Sequence, residues 1–316
     1  MFFVQLFLLN FRQNKFNMLK YTNIAIIASF FCLWLNSFFP KEIQILIGFS
    51  FIFTFGILHG ANDLLLIKNT NDAENSISFK KILLYYILVV LSGLLLFYLI
   101  PIVALLLFIL VSAFHFGDQQ GLYLNFKVSK YLLIFYPFIY GIVLLFLLFF
   151  FHSNEVEEII TEIIRFELPY YYINEIFITS AFLFIGISSY FYWKFESIRQ
   201  KIRVELFFLF VFAIIFKTSS LIWGFAIYFI IWHSIPSILD QIKFIYGTFS
   251  FSYFISYCKN AFVYWLASLI GIGLLYFLFR DKEIFNAIFF SFLAAITFPH
   301  VLVILKMMHQ KDSKIA

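Results

Sequence analysis

The sequence predicts an all-α fold, a polytopic membrane helix bundle of about ten transmembrane helices with both termini inside. Its 316 residues are 63% hydrophobic and only 12% charged, about half the charge of a typical soluble domain. The mean hydropathy is +0.96. Apolar runs of about 20 residues, the length that crosses a bilayer, follow one another along the chain. We therefore expect residues 1–316 to form a single integral membrane domain.

Charges, prolines and polar clusters divide the chain into ten candidate spans. They are 21–39, 43–67, 81–99, 101–118, 130–151, 175–194, 204–217, 221–239, 260–279 and 284–306. The span at 204–217 is short and carries Glu205, and little more than Pro101 separates the third span from the fourth. The same pattern is therefore compatible with eight or nine helices.

The basic residues predict the orientation of the bundle. Most of the 22 Lys and Arg residues fall in loops that are inside if the N-terminus is inside, and cytoplasmic loops of membrane proteins are enriched in Lys and Arg. Residues 1–20 are apolar and then basic, unlike a cleaved signal peptide, so we interpret them as a lead-in segment. Because no basic patch is large enough to bind nucleic acid, the expected partner is the lipid bilayer, in the cell (inner) membrane.

The outer loop at 152–174 is acidic and holds apolar residues at helical spacing. Val156, Ile159, Ile160, Ile163 and Ile164 recur between glutamates. This pattern predicts a short amphipathic helix lying along the outer membrane surface.

Polar side chains interrupt the apolar runs at four places. The first is a histidine, an amide and a carboxylate at 58–65, and the four histidines within predicted spans are His59, His115, His233 and His300. Ionisable groups at membrane depth are costly and mark functional sites by default. A single buried histidine is more often a packing residue than a metal ligand, so the prediction of a functional site depends on the four histidines taken together.

The predicted topology places the four histidines in one layer. All four lie on spans that run from outside to inside, roughly 18 to 24 Å from the outer end at about 1.5 Å per residue. Clustered imidazoles in a low-dielectric interior are best satisfied by a metal that takes up their lone pairs. The sequence therefore predicts a metal site formed by these histidines.

Carboxylates follow three of the histidines at helical spacing. Asp63, Asp118 and Asp240 share a helical face with His59, His115 and His233 respectively. Metal-bound histidines usually donate their other N–H to a carboxylate or carbonyl, so these acids are candidate supporting partners. Alternatively, they mark inner helix ends at the headgroups. The nearby glycines Gly60 and Gly117 suit either close helix packing or passage of a long substrate.

The ligand types restrict the metal without identifying it. Four imidazoles without a thiolate suit Fe(II), and also Cu or Zn. No HxxxH or HxxHH box, nucleophile-and-base motif or phosphate loop occurs in the sequence. A haem carrier or a metal carrier is an alternative function. A haem carrier would be expected to hold its histidine pairs in two layers, and a metal carrier to have ligands at several depths across the membrane. The single predicted layer argues against both.

Four ordered motifs carry a resemblance to a known family. Leu58-His59-Gly60-Ala61-Asn62-Asp63, Phe114-His115-Phe116-Gly117-Asp118, Trp232-His233-Ser234-Ile235-Pro236 and Phe298-Pro299-His300 resemble the Brp/Blh family of membrane-bound β-carotene 15,15′-dioxygenases. The resemblance extends over about 40–310. It implies Fe(II)-dependent cleavage of the central double bond of β-carotene by O2, giving two all-trans-retinal molecules that supply a microbial rhodopsin.

The resemblance also assigns the site residues. It implies that His59, His115 and His233 are iron ligands. Family members can carry a second histidine one turn after the histidine of the third motif, where this sequence has Ser237. His300 is therefore the favoured fourth ligand.

Overall fold

The computed structural model describes residues 21–70, 78–119, 129–278 and 282–313. Within these ranges the chain forms helices and short connections, without β-strands. The helices are α1 (Tyr21–Asn36), α2 (Lys41–Phe51), α3 (Ile57–Gly60), α4 (Asp63–Thr70), α5 (Phe79–Leu99), α6 (Pro101–Gln119), α7 (Lys130–Phe151), α8 (Ser153–Ile164), α9 (Tyr171–Lys194), α10 (Arg199–Thr218), α11 (Leu221–Ile227), α12 (Ile235–Tyr246), α13 (Phe251–Leu278) and α14 (Lys282–Ser313).

Two wider, π-helical segments and one short 3₁₀ turn join some of these helices. The segment π1 (Ile52–Gly56) links α2 to α3, and π2 (Tyr228–Ser234) links α11 to α12. The 3₁₀ turn Glu196–Ile198 precedes α10. Helices α11 and α12 therefore form one long, locally widened helix, and α2 and α3 form another, which breaks at Ala61 and Asn62 before α4.

The structure confirms the all-α polytopic fold. Every predicted span overlaps a helical stretch. Within the described ranges, seven stretches are long and apolar enough to cross a membrane: Lys41–Thr70, Phe79–Leu99, Pro101–Asp118, Tyr131–Phe151, Tyr171–Lys194, Leu221–Tyr246 and Phe290–Met308. The lead-in at 1–20 lies outside the described residues, and the inside location of the termini stays a prediction.

The bundle is apolar both inside and outside. Tyr136 and Tyr140 of α7 and Trp223 of α11 are buried in its core, whereas Leu84 and Leu95 of α5 are exposed. An apolar outer surface suits lipid, in which helices satisfy their own backbone hydrogen bonds.

Glycines bring α6 and α7 into close contact. A Cβ atom on Gly117 would collide with the carbonyl oxygen of Pro137, and one on Gly141 with that of Ala113. Small residues let membrane helices approach through their backbones. Gly117 therefore serves helix packing, one of its two expected roles, and it fixes the end of α6 that carries His115.

The acidic loop contains the expected amphipathic helix, α8. Its apolar side is turned toward the bundle, with Val156, Ile160 and Ile163 buried. Ile163 packs with Ala104 of α6 and Ala294 of α14. The domain assignment of 152–174 as an outer, interfacial loop stays a prediction, but the apolar face of α8 covers protein.

Candidate metal centre

Four histidines from four separate helical elements meet inside the bundle. His59 lies on α3, His115 on α6, His233 on π2 and His300 on α14, and none is more than 7% exposed. Their ring centroids form a closed square: 4.7 Å from His59 to His300, 5.3 Å to His115, 4.8 Å to His233 and 5.1 Å back to His59. The structure thus brings together the four histidines that the sequence placed in one layer.

Three of the four could share one metal ion. His59, His115 and His300 each offer a ring nitrogen, and these nitrogens all lie within 4.8 Å of one another. The ring of His233 lies beside them, edge-on to those of His59 and His115. The geometry therefore gives a three-histidine group with a fourth imidazole adjoining it.

Buried ring nitrogens make the group suitable for a metal. Nε2 of His115 and Nε2 of His300 are buried and have no hydrogen-bond partner among the described residues. Buried polar atoms in proteins are nearly always satisfied, and a divalent cation would satisfy both at once. Neutral nitrogen donors suit Fe, Cu and Zn, so the residues fit the iron that the sequence led us to expect.

Irregular helix geometry positions two of the histidines. His59 lies in the short α3 between π1 and a break at Ala61 and Asn62, whereas His233 lies within π2. π-Helical turns are rare and often occur at functional sites. They change the direction in which the next side chains point, and here they turn His59 and His233 toward the same interior space.

A backbone carbonyl fixes the tautomer of His59. Its Nδ1–H donates to the carbonyl oxygen of Gly56 in π1, and the Ser234 hydroxyl lies 3.4 Å from the same nitrogen. Because a neutral imidazole carries one proton, Nε2 of His59 keeps its lone pair. That lone pair is the one available to a metal.

A carboxylate has the same role at His300. Nδ1–H of His300 donates to Oδ1 of Asp63 at 2.8 Å, and the Tyr86 hydroxyl donates to Oδ2 at 2.9 Å. Asp63 is almost fully buried. This hydrogen-bonded chain orients the ring of His300 and leaves its Nε2 directed away from Asp63.

A second polar network supports the backbone at His59. Its carbonyl oxygen lies at the end of α3, where the helix breaks, and accepts a hydrogen bond from Nε2 of Gln241 at 2.9 Å, with the Tyr257 hydroxyl 3.3 Å away. The Tyr257 hydroxyl donates to Oε1 of Gln241 at 2.8 Å, and Nε2 of Gln241 donates to the hydroxyl of Ser237 at 3.0 Å. These bonds replace those that a continuous helix would have made, and Ser237 belongs to this support.

The three predicted acids have different surroundings. Asp63 supports His300, on another helix, rather than the neighbouring His59. Asp118 and Asp240 are half-buried, and their supporting role stays a prediction. His152, outside the four-histidine cluster, is half-buried just after α7, with Nε2 2.8 Å from the carbonyl oxygen of Phe216. The side chain of His309 lies outside the described residues.

Sequence reasoning missed Tyr86, Gln241 and Tyr257. Nothing marks Tyr86 among the other aromatic residues of its span. Gln241 is a polar residue two helical turns after His233, which is a weak signal that could have been noticed. Tyr257 lies in a stretch rich in Ser, Phe and Tyr, outside the predicted spans.

An apolar cavity of about 150 Å³ opens onto the four histidines. Apart from the histidines, its only polar side chains among the described lining residues are those of Ser112 and Thr297. Phe116 and Phe229 pack edge-on to the imidazoles of His233 and His59. The centre therefore faces a dry, aromatic space suited to a lipophilic substrate.

Comparison with known proteins identifies the family. The family model described as "Beta-carotene 15,15'-dioxygenase" matches residues 50–308, which include all four histidines. No curated protein and no solved structure matches the chain. Because the match covers most of the sequence, it confirms the resemblance noted from the four motifs. The chain belongs to the β-carotene 15,15′-dioxygenase family.

Proposed function

We propose that this protein cleaves β-carotene at its central 15,15′ double bond with O2 and Fe(II), giving two all-trans-retinal molecules. The observation that carries the proposal is the meeting of four buried histidines at one end of an apolar cavity, within the residues matched by the family. His59, His115, His233 and His300 are the proposed iron ligands. We further propose that the protein lies in the cell (inner) membrane and that its product supplies a microbial rhodopsin.

The bound iron would supply the binding and activation of O2. The reaction, R–CH=CH–R + O2 → 2 R–CHO, breaks one carbon–carbon double bond and places one oxygen atom on each carbon. No proton is gained or lost overall. We assign Asp63 to orienting His300 rather than to acid–base catalysis, because its Oδ1 accepts the Nδ1 proton of His300.

The protein's own residues hold the centre and the substrate. Gly56 and Asp63 accept the Nδ1 protons of His59 and His300, which leaves both Nε2 lone pairs available to a metal. The apolar walls align the polyene beside the histidines and exclude water. Positioning of this kind is a large part of how a site lowers a reaction barrier.

The proposal is tested by producing the protein in cells that make β-carotene, with iron supplied. We expect retinal to accumulate as the orange colour fades. His59→Ala should abolish retinal formation, whereas the control Leu302→Ala, which alters an exposed side chain on the helix that carries His300, should retain it. Unchanged carotene in cells that contain well-folded protein and sufficient iron would overturn the proposal, and a Soret band in the purified protein would instead favour a haem carrier.

A further inference from the structure

The cavity is elongated and runs away from the histidines along two helices. On α6 its lining residues follow one helical face from His115 through Ser112 and Ile109 to Leu105. Ten residues of helix cover about 15 Å at about 1.5 Å per residue. The histidines lie at one end of this stripe.

A matching stripe runs along α14. It leads from His300 through Thr297 and Leu293 to Phe290, again about 15 Å of helix. On the opposite wall, lining residues extend from His233 and Phe229 of π2 to Leu221 of α11. The cavity is therefore a passage with a defined length, open to the metal centre at one end.

Helix α8 lies across the other end of this passage. Val156, Ile159, Ile160 and Ile163 line the cavity. Ile159 and Ile163 belong to the apolar cluster that also contains Leu105 and Phe290, where the two stripes end. The charged side of α8 faces the other way, with Glu158 exposed, so an apolar wall closes the passage.

Contacts with other helices hold α8 in this position. Glu155 pairs with Lys41 at the start of α2, and His152, just before α8, bonds the carbonyl oxygen of Phe216 in α10. The buried face of α8 packs against α6 and α14. The distance from α8 to the histidines is therefore set by the fold.

We propose that the inward face of α8 is the end stop for one terminal ring of the carotenoid, and that its distance from the histidines selects the double bond that is cleaved. This inference rests on the proposed carotenoid cleavage. When the ring contacts α8, one half of the polyene fills the passage and a single bond position lies beside the metal centre. Ile160, buried on α8 and part of the cavity wall, is the residue best placed to alter that distance.

A deeper stop should shift the cleavage position. Neighbouring double bonds of the polyene are two bonds apart, or roughly 3 Å of chain at about 1.5 Å per bond. Ile160→Ala removes three side-chain carbons from the wall, so the ring can settle deeper and the adjacent double bond reaches the histidines. Cleavage there breaks one double bond and adds one oxygen atom to each carbon, giving an aldehyde two carbons longer than retinal and a ketone two carbons shorter.

The test compares the products of full-length protein in lipid–detergent micelles with iron, O2 and β-carotene. The unchanged protein should form retinal as its main product. In Ile160→Ala the ratio of off-centre to central products should rise by roughly tenfold or more, because one methylene group in an apolar pocket changes the discrimination between substrates by at least that factor. Ile160→Val, a milder change that preserves packing, should give a smaller rise in the same direction.

The direction of the shift can be measured with a carotenoid aldehyde that carries a ring at just one of its two ends. With Ile160→Ala the ring-bearing product should be longer than retinal, and with Ile160→Phe, which fills the passage, it should be shorter. Glu158→Ala, on the exposed side of the same helix, is the matched control and should leave the products unchanged. Purely central cleavage by all three Ile160 variants would overturn the role of α8, whereas no cleavage by the unchanged protein would overturn the proposed function and this inference with it.

Discussion

Asp63 and His300 are 237 residues apart in sequence and form a hydrogen bond of 2.8 Å between Oδ1 and Nδ1 inside the bundle. The bond joins the helix that follows the first histidine motif to the helix that carries the last. It connects residues near the two ends of the region that matches the family model, residues 50–308, at one metal centre. It also makes Asp63 the supporting partner of His300, the fourth ligand candidate.

Asp63→Ala should weaken metal binding. Removing the carboxylate leaves Nδ1–H of His300 buried without its acceptor and frees the ring to rotate. Loss of such a supporting partner typically costs about 10- to 100-fold in metal affinity, which titration of metal-depleted protein with Fe(II) would measure. Asp63→Asn keeps an oxygen acceptor and should lose less, and equal affinity in all three proteins would contradict the assigned role.

Tyr86→Phe should have a smaller effect of the same kind. The Tyr86 hydroxyl donates to Oδ2 of Asp63 and so acts on His300 through Asp63. Removal of one hydrogen bond to a charged acceptor costs about 1.5–3 kcal/mol, divided between stability and metal affinity. Melting temperature and Fe(II) titration measured on the same samples would separate the two, and no change in either would show that the bond is unimportant.

Alanine variants of the four histidines should differ in how much metal the protein retains. His59, His115 and His300 form the group with mutually close nitrogens, and His233 adjoins it. Alanine at any of the first three should remove nearly all metal, whereas His233→Ala should keep a measurable fraction while losing activity. Elemental analysis of purified variants gives the order, and equal loss in all four would mean that His233 is bound as firmly as the rest.

Gly117→Ala should strongly destabilise the bundle. A methyl group there meets the backbone of Pro137 rather than a flexible side chain, and overpacking of this kind costs about 1–3 kcal/mol or more. Gly186→Ala is the control, because nothing lies within 4 Å of its added Cβ. Thermal unfolding in detergent should show a large loss for the first variant and a small gain for the second, and similar melting temperatures would contradict the close approach of α6 and α7.

Acid should weaken the fold partly through His152. Burial lowers the pKa of His152, so the folded protein takes up this proton less readily than the unfolded chain, whose histidine has a pKa of about 6.5. The stability from the neutral ring is present above that pH and is lost as the pH falls through the lowered pKa in the fold. The drop in melting temperature from pH 7.5 to 5.5 should therefore be smaller in His152→Asn, and an identical drop would exclude this contribution.

The sequence could predict the helices and the histidine layer because both depend on local patterns. Apolar run length locates each span, and counting residues from span ends gives the depth of His59 or His300. The pairing of Asp63 with His300 could not be predicted in this way, since helical periodicity shows only which residues share a face of one helix. The orientation of α8 could not be predicted from the sequence either. An amphipathic pattern at a membrane surface does not show whether the apolar face covers lipid or protein.

The two π-helical segments have a consequence for how such a centre could have arisen. A π turn spans one more residue than an α turn, because its hydrogen bonds run from residue i to i+5. In a regular helix each residue advances the direction of the side chains by about 100°. Insertion or loss of one residue in π1 or π2 would thus rotate His59 or His233 into or out of the cavity without altering any loop. Single-residue gaps within helices, which usually signal alignment errors, are accordingly expected at these two places when relatives are aligned.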